Sequence, residues 1–162
     1  MKVAFVINNF RQGGIETYIL RFLKEYKNKI ELILISNSKA RNKKLFQEYI
    51  DNGAKINFIK VNFNLINIFK FLNLLKNEDI NTVCDFRGDF SGLTMLLSKI
   101  GKIKNRIVFY RESNYQFEMN FFKFIYIKFF HLLVIIFSNK ILSNSKSAFK
   151  YFYLDYILKF KY

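Results

Sequence analysis

Three polar segments carry residue types that bind phosphate or sugar hydroxyl groups, and each directly follows a short apolar run. The first is the loop around Gly13 and Gly14, which lies between the apolar residues 3–7 and Glu16. Glycines at a strand-to-helix turn let the backbone approach a ligand closely, and the helix N-terminus behind them favours anions. The pattern predicts a nucleotide- or sugar-binding loop. A simple tight turn is the alternative, in which Glu16 only complements the helix dipole.

The second segment contains Arg87 and Asp89 and follows an apolar run at residues 81–86. In an open parallel sheet, ligands bind at the carboxyl ends of the strands. We therefore predict that Arg87 and Asp89 lie at the edge of a binding cleft. An ion pair between Arg87 and Asp89 that shapes the turn is the alternative, and the Arg-Gly-Asp tripeptide is interpreted as a chance match to an adhesion motif.

The third segment contains Arg111, Glu112 and Asn114 and follows an apolar run at residues 106–110. The planar guanidinium of Arg111 suits a phosphate or a sugar hydroxyl group. Glu112 is predicted to accept hydrogen bonds from hydroxyl groups, and Asn114 to do the same or to cap the next helix. The alternative is capping together with a local salt bridge between Arg111 and Glu112.

Several other kinds of site are excluded or disfavoured by the residue pattern. The glycine loop lacks both the Gly-x-Gly-x-x-Gly fingerprint of dinucleotide-binding proteins and the Gly-Lys-Ser/Thr of a P-loop. Cys84 lies in an apolar stretch, and the single histidine, His131, lies in an apolar helical segment. Cys84 is therefore interpreted as a small buried hydrophobic residue rather than a nucleophile. No residue is assigned a catalytic role, and no metal site is predicted.

Hydrophobic periodicity predicts strictly alternating strands and helices, which is typical of a parallel sheet with right-handed crossovers. The predicted fold is α/β, a Rossmann-like open parallel sheet of about six strands flanked by helices. A further helix is expected after Ser145, a favourable N-cap residue. Strands are predicted at residues 3–7, 30–36, 56–61, 81–86, 106–110 and 140–143, and helices at residues 15–27, 43–52, 65–77, 90–100 and 115–137.

The composition limits the partners and the compartment. The 162 residues suit one domain, and the net charge of +15 indicates an anionic partner such as a membrane surface or a phosphorylated substrate. Lysine-rich coding bias is the alternative source of this charge. No dense basic arm points to nucleic acid. One cysteine cannot form an internal disulfide, which favours a reducing cytoplasm, and no signal peptide is expected before the first strand.

The segment at residues 115–137 is rich in phenylalanine but is not predicted to span a membrane. A span needs about 20 apolar residues, whereas Lys123, Lys128 and His131 interrupt this segment. It is interpreted as a long amphipathic helix that packs on the sheet, and its Phe- and Lys-bearing edge is also suited to lipid headgroups.

Taken in order, these segments resemble the N-terminal lobe of family-4 glycosyltransferases with the GT-B fold. The resemblance is carried by the opening strand with Gly13-Gly14-Ile15-Glu16, by residues 106–113, and by residues 140–147 with Ser143 and Ser145. It covers residues 1–150 as one lobe. Residues 151–162 are interpreted as the start of a crossover, so that the C-terminal, donor-binding lobe is expected to be absent from this chain.

The resemblance implies transfer of a sugar from a nucleotide-sugar co-substrate, without a further cofactor, to a glycan or lipid-linked acceptor in cell-envelope polysaccharide synthesis. It implies that Gly13 and Gly14 approach the donor across a cleft between two lobes. Many relatives carry a histidine where this chain has Arg111-Glu112, so the catalytic role of that position is left unassigned. A lobe of this kind is expected to be inactive alone, to need a donor-lobe partner chain, and to lie at the inner face of the cell membrane.

Two other functions remain open from the sequence. One is a non-enzymatic basic protein of the membrane surface, which would use the positive charge and the Phe/Lys-rich helix. The other is a single-lobe α/β module that binds a free nucleotide. The identity of the sugar, the nucleotide and the acceptor, and the stereochemical outcome, are not encoded in any motif of this sequence.

Overall fold

The computed structural model describes residues 1–10, 13–39, 42–111, 120–146 and 148. Within them, a single six-stranded sheet has the strand order β3-β2-β1-β4-β5-β6, and every neighbouring pair is parallel. This arrangement confirms the predicted Rossmann-like α/β fold. The strands are β1 (Lys2–Ile7), β2 (Glu31–Ser36), β3 (Lys55–Phe58), β4 (Thr82–Asp85), β5 (Asn105–Tyr110) and β6 (Lys140–Ser143).

Helices cover both faces of the sheet, as expected for strands that are apolar on both sides. Alternate residues of the central strands, such as Phe5 and Val6, contribute to two separate hydrophobic cores. One core packs against α1 and α2, and the other against α3, α4 and α5. The helices are α1 (Gly14–Tyr26), α2 (Lys43–Asp51), α3 (Leu65–Asn77), α4 (Ser91–Ile100) and α5 (Phe121–Phe137), with a single 3₁₀ turn at Gly88–Phe90 before α4.

Side-chain caps explain where several helices begin. Asn42, Asn64 and Asn120 each accept a hydrogen bond from a backbone amide in the first turn of α2, α3 and α5. Ser145 likewise accepts one from the amide of Ala148 at 3.1 Å, which confirms its predicted capping role.

Two predicted boundaries were wrong. The helix predicted from residue 115 begins at Phe121, because Asn120 has extended backbone angles and caps it; residues 115–119 lie outside the described residues. The strand predicted at residues 56–61 ends at Phe58. The amide of Val61 donates to the Asn37 side chain at 3.1 Å instead of continuing the ladder.

Close packing of α4 against α5 depends on Gly92. A Cβ atom at this position would meet the carbonyl oxygen of Phe130 and lie 3.0 Å from both the Phe130 Cα and the Leu133 Cβ. Real Cβ atoms have essentially no contacts this short, so a side chain would force the two helices apart. The glycine therefore sets the position of α5 over the sheet.

Candidate functional site

The candidate site lies at the carboxyl edge of the sheet, where the three polar segments meet. The strand order reverses between β1 and β4, and the loops that follow these strands diverge at that point. Ligand sites of doubly wound sheets form at such a switch point. The predicted residues that are described here divide between two sides of this edge.

On the side covered by α1, Arg111 contacts the glycine loop. Its Nη1 donates to the carbonyl oxygen of Gly14 at 2.8 Å. The guanidinium also lies 5.3 Å from the ring centre of Tyr18 and 5.9 Å from that of Phe109. Cation–π contact and a fixed hydrogen bond together hold the guanidinium at the first turn of α1.

The backbone conformation does not require the two glycines of this loop. Gly13 is extended, with φ −158° and ψ 176°, which any residue adopts. A Cβ on Gly14 would lie at an ordinary 3.6 Å from Arg111 Nη2, and one on Gly13 would meet only the mobile end of the Glu16 side chain. A tight turn therefore does not account for the pair. Their effect is that the only side chain close to Gly13 is that of Glu16, and the only one close to Gly14 is that of Arg111, among the described residues.

Glu16 is partly buried beside this loop, and burial raises the pKa of its carboxyl group above the ordinary value of 4.5. Its own backbone amide and the positive charge of Arg111 act in the opposite direction but do not outweigh the loss of solvation. The backbone of the same turn is anchored from α2, because the Tyr49 hydroxyl donates to the Glu16 carbonyl oxygen at 2.6 Å.

On the side covered by α4 and α5, Arg87 is buried and paired with Asp85. Its Nη2 lies 2.7 Å from Asp85 Oδ2, and its Nε donates to both carboxylate oxygens. Nη2 also contacts the Thr94 hydroxyl. Because Asp85 is fully buried, this fork neutralises a charge that would otherwise be unpaired. The alternative of an ion pair between Arg87 and Asp89 is not what the structure shows.

Asn37 links this ion pair to the ends of three other strands. Its Oδ1 accepts from the Val61 amide and, at 3.4 Å, from Arg87 Nη1. Its Nδ2 donates to Asn8 Oδ1 at 3.3 Å. One amide side chain thereby ties together the segments that follow β1, β2, β3 and β4.

A cleft of about 240 Å³ opens over this network. Asn8, Asn37, Asn62 and Arg87 line it from the sheet edge. Aromatic rings also line the cleft: the Phe63 and Phe130 rings meet edge to face at 6.0 Å, and the Tyr126 ring centre lies 4.7 Å from that of Phe130. The three asparagines were not predicted from the sequence as site residues, because a single asparagine after a strand has no motif that separates it from a turn residue.

Asp89 forms a second buried pair, with His131 of α5. The distance from His131 Nε2 to Asp89 Oδ1 is 2.8 Å, and the Tyr110 ring packs edge-on against the imidazole. In the sequence, His131 lies in an apolar helical segment 42 residues from Asp89, and no local pattern indicates that the two residues are in contact. Glu112 and Asn114, the remaining predicted site residues, lie outside the described residues.

Other reactive groups in the described part of the chain are not arranged for chemistry at this edge. Cys84 is buried in the core beneath α1, where burial raises the pKa of its thiol. The described residues contain no group of three or more His, Cys, Asp or Glu side chains that could hold a metal ion. Among the described helices, none is both long and apolar enough to cross a membrane.

Comparison with curated proteins identifies one similarity in sequence that bears on function. The chain is 29% identical over 150 residues to the capsular polysaccharide biosynthesis glycosyltransferase CapH of Staphylococcus aureus. The alignment covers 91% of this chain but 41% of CapH, so the chain spans about two fifths of the length of this relative. No protein-family model matches the chain.

Solved structures share the fold at low sequence identity. The chain superimposes on HepE of Anabaena, solved with UDP and glucose, with a TM-score of 0.66 and 12% identity, covering 94% of this chain and 40% of HepE. It also matches a UDP-N-acetylglucosamine 2-epimerase, with a TM-score of 0.57 and 15% identity, covering 94% of this chain and 44% of the epimerase. The similarity to CapH agrees with the predicted resemblance to a glycosyltransferase lobe, and the solved structures share the fold of this chain.

Proposed function

We propose that this chain is the N-terminal, acceptor-side lobe of a glycosyltransferase of cell-envelope polysaccharide synthesis. It would supply one wall of a cleft in which a sugar passes from a nucleotide-sugar to a glycan or lipid-linked acceptor. A second, donor-binding lobe would supply the other wall, since transfer requires both reactants to be held in line. The chain alone would therefore not turn over.

The similarity to CapH along 91% of the chain is the observation that carries this proposal. The fold itself is shared with an epimerase as well as with HepE, so it does not separate these activities. HepE and the epimerase both act on or bind a UDP-linked sugar or its parts, which supports a nucleotide-sugar partner for this chain.

The site geometry fits a ligand that carries negative charge on the α1 side. Gly13 and Gly14 add no side chain of their own at the N-terminus of α1, where the Glu16 carboxyl group lies, and Arg111 is fixed beside it. The helix dipole and the guanidinium both favour a phosphate or a phosphate-linked sugar at this position. We assign Gly13, Gly14 and Arg111 to that role, and Glu112 and Asn114 remain candidates that follow directly in sequence.

A location at the inner face of the cell membrane is the second part of the proposal. Five residues of α5 at intervals of three and four, together with Phe121, form an exposed apolar stripe opposite the buried one. Lys123 and Lys128 are exposed on the same helix. Apolar side chains with adjacent lysines, on a chain of net charge +15, suit an anionic lipid surface. We call this set the α5 apolar face: Phe121, Phe122, Ile125, Phe129, Leu132 and Ile136.

A hybrid enzyme tests the transferase proposal. This chain is joined to the part of CapH outside the matched residues, and UDP release from UDP-glucose and UDP-N-acetylglucosamine is measured with membranes that contain lipid-linked glycan precursors. We expect release by the hybrid, at least tenfold slower release with Arg111→Ala, and unchanged release with Arg21→Ala, an exposed position on α1. Turnover by the 162-residue chain alone would contradict the proposal, and so would equal UDP release by the hybrid with and without Arg111→Ala.

A further inference from the structure

The cleft beside Asn37 has a chemistry different from that of the glycine loop. We infer that it binds a single uncharged pyranose ring, and, resting on the proposed function, that this ring belongs to the acceptor.

The polar wall offers hydrogen-bond donors that are held in place. Asn8 uses Oδ1 to accept from Asn37, and Asn62 uses Oδ1 to accept from the Asn64 amide and the Asn67 side chain. Within the described residues, the Nδ2 groups of Asn8 and Asn62 make none of the observed hydrogen bonds. Each amide is thus oriented by its oxygen and keeps two N–H donors for the hydroxyl groups of a ligand.

The aromatic wall offers flat apolar surface in the same cleft. Tyr126 packs on Phe130, Phe130 meets Phe63, and the rings of Phe63 and Tyr126 remain about half exposed. One face of a pyranose ring is formed mainly by C–H groups, whereas its edges carry hydroxyl groups. A cleft lined by both amide donors and aromatic rings matches both parts of such a ring.

The charge of the cleft does not favour a phosphate as its ligand. Arg87 is the cation that lines it among the described residues, and Asp85 engages its Nε and Nη2. A second anion there would be placed close to the buried Asp85 carboxylate, without a free positive charge to compensate. An uncharged ligand avoids this repulsion. The cationic Arg111, by contrast, lies on the α1 side of the edge.

The size of the cleft is compatible with one sugar ring. Pockets that enclose drug-sized molecules measure roughly 300–1,000 Å³, and this cleft measures about 240 Å³. The cleft is open to solvent, so that the rest of an acceptor would extend out of it.

Saturation-transfer NMR on the 162-residue chain tests this inference without any donor lobe. The probes are the methyl glycosides of glucose, galactose, mannose and N-acetylglucosamine, with methyl glucuronide and glucose 6-phosphate as charged comparisons. We expect transfer to the ring C–H protons of at least one neutral glycoside. Tyr126→Ala should weaken that binding by about threefold to tenfold, as expected when an aromatic contact is removed.

Matched variants separate the cleft from the rest of α5. Phe124→Ala removes a ring of similar exposure on the same helix but outside both the cleft and the α5 apolar face, and should leave glycoside binding unchanged. Asn62→Asp keeps the Oδ1 acceptor that orders the loop but removes the Nδ2 donors, and should weaken binding by about threefold. Circular dichroism checks that each variant is folded.

Three outcomes would overturn the inference: no transfer to any neutral glycoside, stronger binding of the charged sugars, or equal effects of Tyr126→Ala and Phe124→Ala. These results can be distinguished from a failure of the proposed function. If the hybrid transfers sugar but the 162-residue chain binds no glycoside, only the assignment of the cleft is wrong. Glycoside binding without any transfer by the hybrid would leave the cleft and remove the transferase proposal.

Discussion

Arg111 donates to the Gly14 carbonyl oxygen over 2.8 Å, a contact between residues 97 positions apart in the sequence. It joins the end of β5 to the first residue of α1 across the carboxyl edge of the sheet. Because Tyr18 and Phe109 flank the guanidinium, the glycine loop is held in place before any ligand arrives. Preorganisation of this kind lowers the entropy that binding must overcome.

Replacing Arg111 with lysine tests how much this contact stabilises the fold. Lysine keeps the charge but loses the planar stack and the fixed fork, so we expect Arg111→Lys to lower the free energy of unfolding by about 1 kcal/mol. Urea titration followed by circular dichroism measures the change. Arg21→Lys, on the exposed face of α1, is the matched control and should be neutral. Equal stability of the two variants would show that the contact is dispensable.

The buried pair of Arg87 and Asp85 should behave as a unit. Arg87→Met leaves the Asp85 carboxylate buried without a counterion, and we expect a loss of about 3–5 kcal/mol in unfolding free energy. Adding Asp85→Asn should recover a large part of that loss. Lys24→Met, which breaks the exposed pair with Glu48 at 2.6 Å, should cost about 1 kcal/mol or less. A double variant no more stable than Arg87→Met would argue against the pairing.

The architecture was predictable because its causes are local. Alternating apolar periods, together with capping residues such as Asn64 and Ser145, specify where strands and helices lie. The parallel order follows from strict alternation, since each crossover must pass over a face of the sheet. The predicted boundaries were wrong where a side chain replaces a backbone hydrogen-bond partner. The Asn37 side chain, for example, accepts the hydrogen bond from the Val61 amide.

The site was predictable in outline and not in its pairings. Strand ends bring Gly14 and Arg111 to one edge, as the pattern of apolar runs indicated. Arg87 pairs with Asp85 because Asp85 is fully buried and therefore needs a counterion more than the neighbouring Asp89 does. Asp89 instead meets His131, which only the packing of α5 brings near. Contacts between distant segments leave no trace in local periodicity.

Gly92→Ala tests the close approach of α4 to α5. An added Cβ would overlap the Phe130 backbone, and overpacking of this kind typically costs about 1–3 kcal/mol. We expect a loss in that range by chemical denaturation. Gly14→Ala serves as the comparison, since its Cβ has ordinary space, and should be neutral or slightly stabilising. If the two alanine variants unfold alike, the helix crossing is looser than the structure shows.

The raised pKa of Glu16 predicts a pH-dependent stability difference. Because the folded protein holds this proton more tightly than the unfolded chain, the contribution of Glu16 to stability falls as pH rises from about 4.5 through its folded pKa. Glu16→Gln removes this titration. Unfolding free energies measured between pH 4 and pH 8 should therefore shift in favour of the variant as pH rises. A difference that is constant with pH, or that changes in the opposite direction, would contradict the assignment.

The α5 apolar face predicts binding to anionic bilayers that depends on both its rings and its lysines. Phe121 and Phe122 are more than two-thirds exposed, so Phe121→Ser with Phe122→Ser should reduce cosedimentation with phosphatidylglycerol-containing vesicles several-fold without harming the core. Lys123→Gln with Lys128→Gln should weaken binding mainly at low salt, since screening already removes their effect at high salt. Ile100→Ser, at an exposed apolar residue at the far end of α4, is the control and should sediment like the original protein. Because the chain is basic throughout, binding that responds only to salt and not to the phenylalanines would reflect its bulk charge and would count against a specific membrane-facing surface on α5.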